Sequence, residues 1–164
     1  RCLADRKEAS LPGKLVLRRE KNLISVKERS PAPKGFHYDW DGGKKLLIPE
    51  VGLSFTARRI RKGKMKLPSY NDDRRVLLEA GKVCFPLLVR SRSEGDRYRP
   101  LGSPGRKKLK EIMRAKGIPP GERDRRPVFL SAGKIVWVPG LPVSEDFKIT
   151  PATKAIYIVS KLAI

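Results

Sequence analysis

The chain has 164 residues and carries 38 Lys plus Arg against 17 Asp plus Glu, a formal net charge of +21 with an isoelectric point near 10.5. At 39% hydrophobic, it can bury roughly 70% of the surface it exposes when unfolded, which excludes wholesale disorder and leaves room for one domain or two small ones. So large a positive surplus makes the folded state repel itself, so nucleic acid is the leading expected partner, and an anionic membrane is disfavoured because no apolar run approaches ~18 residues and no long basic amphipathic helix is present.

Residues 1–10 are polar and charged and read as the frayed tail of a helix lying upstream. Short apolar strands over 15–17 and 23–26 flank a charged tip, predicting a hairpin. Residues 36–40 and 46–48 flank Asp41-Gly42-Gly43, a second hairpin signal because glycine tolerates positive φ. The alternation of Leu53, Phe55 and Ala57 with polar neighbours predicts a half-buried strand over 51–60. The dense basic run 58–66 around Gly63 reads as strand, turn and strand with a cationic edge, which also discourages sheet-to-sheet association. Residues 68–73 form a loop, and strands over 76–78 and 83–85 are expected about Ala80-Gly81, followed by another over 87–89. The first half is therefore β-rich, with a boundary near Lys82: residues 1–83 as one segment and 84–164 as a second, small α+β domain.

The clearest helix is expected over 105–116. Leu109, Ile112, Met113 and Lys116 fall at i, i+3, i+4 and i+7, a narrow apolar stripe, while Arg106, Lys107, Lys108, Lys110 and Arg114 face outward against the single acid Glu111. Ser103 and Pro104 suit its opening, Gly117 a left-handed cap, and Pro119 and Pro120 prevent its continuation. The Gly102–Gly105 loop would then lead into a helix N-terminus, where free N–H groups favour a phosphate, and the cations of the first turn would oppose the dipole. Beyond it a hairpin is predicted over 127–130 and 134–138 about Ala132-Gly133, then a polar connection over 141–153, and a last strand over 155–159 buried on both faces. The expected core of this half is Leu109, Ile112, Met113, Val128, Ile135, Trp137, Ile156 and Ile158. The fold class is thus α+β: a β-rich first half followed by a small mixed domain with short strands and one principal basic helix.

Cys2 and Cys84 do not make a disulfide framework and no apolar signal segment opens the chain, so a reducing, cytoplasmic setting with buried thiols is expected. One histidine, His37, and no C-x-x-C leave no metal site. The first residue is not methionine, so the sequence reads as a fragment whose catalytic parts lie elsewhere. No phosphate loop, dinucleotide fingerprint, zinc-protease or nucleophile-elbow motif occurs, and no catalytic residue is assigned. Asp96, Glu122 and Asp124 lie among arginines, which they are expected to orient by ion pairs. Tyr98, between Arg97 and Arg99, is either a base-stacking platform or a half-buried tyrosine.

The string Arg90-Ser91-Arg92 to Gly95-Asp96-Arg97-Tyr98-Arg99-Pro100, then Gly102, Lys107-Lys108-Leu109-Lys110, Ile118-Pro119, Arg123-Asp124-Arg125, Pro127 and Ile135-Val136-Trp137-Val138-Pro139-Gly140 resembles the C-terminal domain of bacterial tRNA(Ile)-lysidine synthases. The resemblance is specific over about 85–140 and weaker over 14–82. It implies an enzyme that uses ATP and Mg to activate the wobble cytidine of the CAU anticodon of an isoleucine tRNA, which lysine then attacks. That chemistry belongs to an N-terminal ATP-pyrophosphatase domain whose phosphate loop is absent here, so this region would need no cofactor. It would grip the tRNA body and acceptor end through Arg90, Arg92, Arg97, Tyr98, Arg99, Arg106, Lys107, Lys108, Lys110, Arg114, Arg123, Arg125 and Arg126. The implied partners are tRNA and the catalytic domain, with room for a homodimer. The alternatives are non-enzymatic RNA binders: a KH-like module, suggested by Gly102-x-x-Gly105 before a helix although Lys108 stands where that module needs an apolar residue, or a ribonucleoprotein component.

Overall fold

The computed structural model describes residues 8–10, 15–20, 23–28, 35–63 and 73–164. Strands β1 (Glu8–Ser10), β2 (Leu15–Glu20) and β3 (Leu23–Glu28) form an antiparallel sheet in that order. The first expected hairpin is present, but its strands run through the charged tip, with Arg18 opposite Ser25 and Glu20 opposite Leu23. Residues 8–10 are strand, not helix; the remainder of the expected helical tail, 1–7, lies outside the described residues.

The other strands are β4 (His37–Trp40), β5 (Leu46–Ile48), β6 (Leu53–Arg61), β7 (Arg75–Glu79), β8 (Leu87–Arg90), β9 (Arg97–Tyr98) and β10 (Lys107–Lys108). Helices α1 (Leu109–Ala115) and α2 (Pro120–Arg123) follow, then β11 (Val128–Ser131), β12 (Lys134–Trp137), a 3-10 turn at Glu145–Phe147, and β13 (Ala155–Ala163). Two four-stranded sheets organise them, one in the order β12-β11-β8-β4 and the other β5-β6-β13-β7. Each sheet takes strands from both sides of residue 83: β4 pairs with β8, and β13 lies between β6 and β7.

The second expected hairpin does not form. Asp41 does turn the chain, its carboxylate accepting the Gly43 amide at 2.9 Å, but β4 leaves to pair with β8 and β5 pairs with β6. Turn chemistry is local, whereas the choice of strand partner is not. Residues 83–85 are not strand, and Cys84 is exposed rather than buried. The basic run enters β6 as far as Arg61, and the far side of its turn, 64–66, lies outside the described residues. The hairpin of β11 and β12 forms as expected. Its Ala132-Gly133 link has φ of 46° and 78°, the two positive values a type I′ turn requires.

The two sheets pack face to face. Trp40, Leu87, Val89, Phe129 and Trp137 of the first meet Leu46, Ile48, Phe55, Val76, Leu78 and Val159 of the second. Phe55 sits edge-on to Phe129 at 4.9 Å between ring centroids and to Trp137 at 6.4 Å, a geometry worth about 0.5–1.5 kcal/mol per pair beyond area burial. The opposite face of the first sheet, Val128, Leu130 and Ile135, is covered by Leu109, Ile112 and Met113 of α1 together with Tyr98, Ile118 and Leu141. The strand buried on both faces is therefore β11, all four of its residues being buried, whereas in β13 burial is limited to Ile156 and Val159. Of the expected core residues Ile158 alone is only partly buried, and Trp137 belongs to the layer between the sheets. The expected polar connection after β12 in fact contributes Leu141, Val143 and Phe147 to the interior.

Candidate nucleic-acid interface

The outer layer is built on Asp96. Its carboxylate accepts both terminal nitrogens of Arg90, at 3.0 and 2.8 Å, and the Ser93 amide at 2.8 Å. Its backbone carbonyl accepts the amide of Leu109 at 2.8 Å, which satisfies one of the orphan donors at the start of α1. Arg90 has its pKa raised, chiefly by the hydrogen bond to Asp96. At the far end of α1, Gly117 has φ of 71°, its amide reaches the Arg114 carbonyl, and the Ile118 amide reaches that of Met113, both at 3.0 Å. This is a Schellman closure with Ile118 packed beside Met113. The C-cap follows expectation; the N-terminus does not.

The helix begins at Leu109, with Lys108 as an N-cap that makes no side-chain cap bond. Lys107 and Lys108 are strand, paired with Tyr98 and Arg97. Ser103 is no cap: its hydroxyl donates to the Gly105 carbonyl. The Gly102–Gly105 loop thus feeds a two-stranded ribbon, and neither a phosphate-binding helix terminus nor the KH arrangement is formed there. Glu111 is the acidic residue of the first helical turn, in keeping with the dipole, whereas Lys110 beside it opposes the dipole.

That loop is zipped to the segment before the 3-10 turn. Leu101 donates to the Val143 carbonyl at 2.8 Å and Glu145 to that of Arg99 at 2.8 Å, while the Gly102 amide donates to the Glu145 carboxylate at 2.9 Å. Glu145 also bonds the Lys148 ammonium. Its pKa is lowered, first by the Lys148 bond and then by the Gly102 amide.

The thirteen residues expected to meet RNA divide by what they touch. Arg92 grips Asp124 through two nitrogens at 3.1 and 2.7 Å. Arg126 donates to the Pro139 carbonyl at 2.6 Å and faces Asp73 at 3.6 Å. It lies so close over Gly140, φ 84°, that a side chain there would strain the backbone and displace the guanidinium. Arg123 donates to the Ile118 carbonyl, and Arg125 is partly buried and engaged within the fold. With Arg90 on Asp96, these arginines brace loops, the orienting role expected of Asp96, Glu122 and Asp124. Tyr98 is 2% exposed, and its hydroxyl donates to the Pro142 carbonyl at 2.9 Å. Burial pushes its pKa far up, and no ring face is open for a base to stack on. The expectation of a stacking platform is corrected.

Arg97, Arg99, Arg106, Lys107, Lys108, Lys110 and Arg114 are exposed and lie on the ribbon, its loop and α1. Between the ribbon, the loop and the β11–β12 turn is a cleft of about 400 Å³ walled by Arg97, Arg99, Arg106 and Lys134, with Ile135 and Tyr98 beneath and Asp146 as its acid. Arg99 donates to the Ser103 carbonyl at 2.8 Å, and Arg106 makes a long bond to the Arg97 carbonyl at 3.4 Å. Lys134 and Asp146 escaped the sequence reading. Lys134 opens β12 and Asp146 follows Glu145 in the 3-10 turn, and only the topology brings both beside Arg97.

Among the described residues no group of His, Cys, Asp or Glu could hold a metal ion, and no helix is long and apolar enough to cross a membrane. The sequence holds no phosphate-loop motif for the phosphates of ATP.

The architecture defines a small α+β domain with a polybasic outer layer. Residues 87–160 match the TilS substrate C-terminal domain family. A crystal structure of a TilS C-terminal domain superposes with a TM-score of 0.67 at 30% identity, covering 80% of this chain and 98% of that one. The chain belongs to this family. It is 36% identical over 152 residues to the bifunctional protein TilS/HprT of Listeria monocytogenes, covering 91% of this chain and 22% of that protein. It is 46% identical over 71 residues to the tRNA(Ile)-lysidine synthase of Bacillus subtilis, covering 42% and 15%. The chain thus spans about a fifth of the length of the Listeria relative.

Proposed function

We propose that the chain is the tRNA-gripping C-terminal region of a tRNA(Ile)-lysidine synthase, acting with an N-terminal domain that consumes ATP to join lysine to the wobble cytidine of a CAU-anticodon isoleucine tRNA. The observation that carries this reading is the like-charged pair Arg97 and Lys108, directly opposite each other in the ribbon. Such a pair is destabilising by itself and is relieved when a polyanion lies across it. Lys110 and Arg114 add exposed cations on α1, and Lys107 adds one in β10, while the arginines that hold the fold carry carboxylate or carbonyl partners. A surface of this kind binds structured RNA through its phosphates and supplies no nucleophile or general base, so the region positions tRNA and leaves the chemistry to the other domain.

Binding of the cognate isoleucine tRNA, measured at several salt concentrations, tests the reading. Each phosphate contact contributes about 0.9 to the slope of log K against log salt, so Lys107→Ala should lower that slope by about 1 and weaken cognate and unrelated tRNAs alike. The purified chain should incorporate no lysine into tRNA. An unchanged slope for both Lys107→Ala and Lys108→Ala, or turnover by the chain alone, would overturn it.

A further inference from the structure

We propose that the cleft between the ribbon, the 102–105 loop and the β11–β12 turn receives one ribose-phosphate unit of an RNA strand, with Arg97, Arg106 and Lys134 on the phosphate and Asp146 on the ribose 2′-hydroxyl. This rests on the RNA-binding reading above and adds where the sugar is read. The cleft, about 400 Å³, lies in the range of concave sites that enclose part of a ligand, about 300–1,000 Å³, and so differs from the open cationic face of α1. Among the described residues the side chains of Arg97 and Lys134 have no hydrogen-bond or ion-pair partner, unlike those of Arg90, Arg92 and Arg126. Their charges are available to an anion.

Asp146 gives the site its specificity. Its carboxylate also has no partner among the described residues, although cations line the same cleft. Its backbone is held in the 3-10 turn, where its amide donates to the Ser144 hydroxyl at 3.4 Å. A carboxylate repels a phosphate, so a cleft meant for phosphate alone would be better without it. It fits a ligand that places a hydroxyl donor next to its phosphate. The ribose 2′-hydroxyl is that donor, and it separates RNA from DNA. The buried residues Tyr98 and Ile135 close the floor and keep water from competing on that side.

The test uses the full chain with an RNA hairpin, the same hairpin 2′-O-methylated throughout, and its DNA counterpart. Methylation keeps the A-form shape and removes the donor. A hydrogen bond to a charged group corresponds to about tenfold in affinity, so the wild type should bind the RNA about tenfold more tightly than the methylated hairpin. Asp146→Ala should abolish that preference while holding or raising affinity for the methylated hairpin, and Lys134→Ala should weaken both equally. A preference that survives Asp146→Ala, a wild type without preference, or a Lys134→Ala variant with unchanged affinity would each overturn the assignment. Failure to bind any of the hairpins at low salt would overturn the RNA-binding reading itself. The wild-type comparison stands whether or not a variant folds.

Discussion

Asp96→Ala should destabilise the protein by about 3 kcal/mol without removing an RNA contact. The side chains of Arg90 and Asp96 are only 19% and 10% exposed, and their bond is bidentate. Breaking a fully buried pair by removing one partner costs about 3–5 kcal/mol, and an exposed pair is worth about 0–1 kcal/mol. This pair lies near the buried limit, slightly relieved by its residual exposure, and the Ser93 amide loses its acceptor as well. For a chain of this size about 3 kcal/mol lowers Tm by roughly 6–12 °C. Urea titration of the wild type, Asp96→Ala, Arg90→Met and the double variant measures the coupling, expected at about 1.5–3 kcal/mol, while the salt slope of tRNA binding for Arg90→Met stays at the wild-type value. Coupling below about 0.5 kcal/mol, together with a slope reduced by about 1, would mean that Arg90 holds a phosphate rather than the loop.

Tyr98→Phe removes one buried hydrogen bond, to the Pro142 carbonyl, and should cost about 0.5–1.5 kcal/mol in a denaturation curve with no change in RNA affinity. Leu109→Ala, at a site 1% exposed, should cost about 2–5 kcal/mol, and an unchanged melting temperature would remove α1 from the packing described. Glu145 has a folded pKa below its ordinary value, so the stability it contributes is complete above the unfolded value near 4.5 and is lost as pH falls through the folded one. The Gly102 amide shift should follow that titration in an NMR series between neutral and acid pH. In Glu145→Gln the titration should vanish.

The sequence made legible what depends on neighbours along the chain. The stripe of Leu109, Ile112 and Met113, the Gly117 cap and the Ala132-Gly133 turn are all fixed within a few residues, and all stand where expected. What it hid depends on distant partners. Lys107 and Lys108 have acceptable helix propensity, and only pairing with Arg97 and Tyr98 makes them strand. Asp41-Gly42-Gly43 announces a turn correctly, yet the strands it joins part into different sheets. The same limit applies to the interface: Arg92 and Arg97 look alike in a basic string, and what separates them is Asp124, 32 residues from Arg92.

The placement of β13 has a consequence for the order of folding. Ala155 pairs with Arg61 and Ala163 with Leu53 on one side, while Ile156 to Ser160 pair with β7 on the other. Contacts so distant along the chain require a large loop to close first, which slows folding. Until residues 155–163 have been synthesised, β6 is held on the β5 side alone and β7 has none of the strand neighbours of its final sheet. The nascent sheet therefore waits with an open edge. Arg58, Arg59 and Arg61 lie along that edge of β6, and their mutual repulsion between copies discourages a second molecule from docking there before β13 arrives.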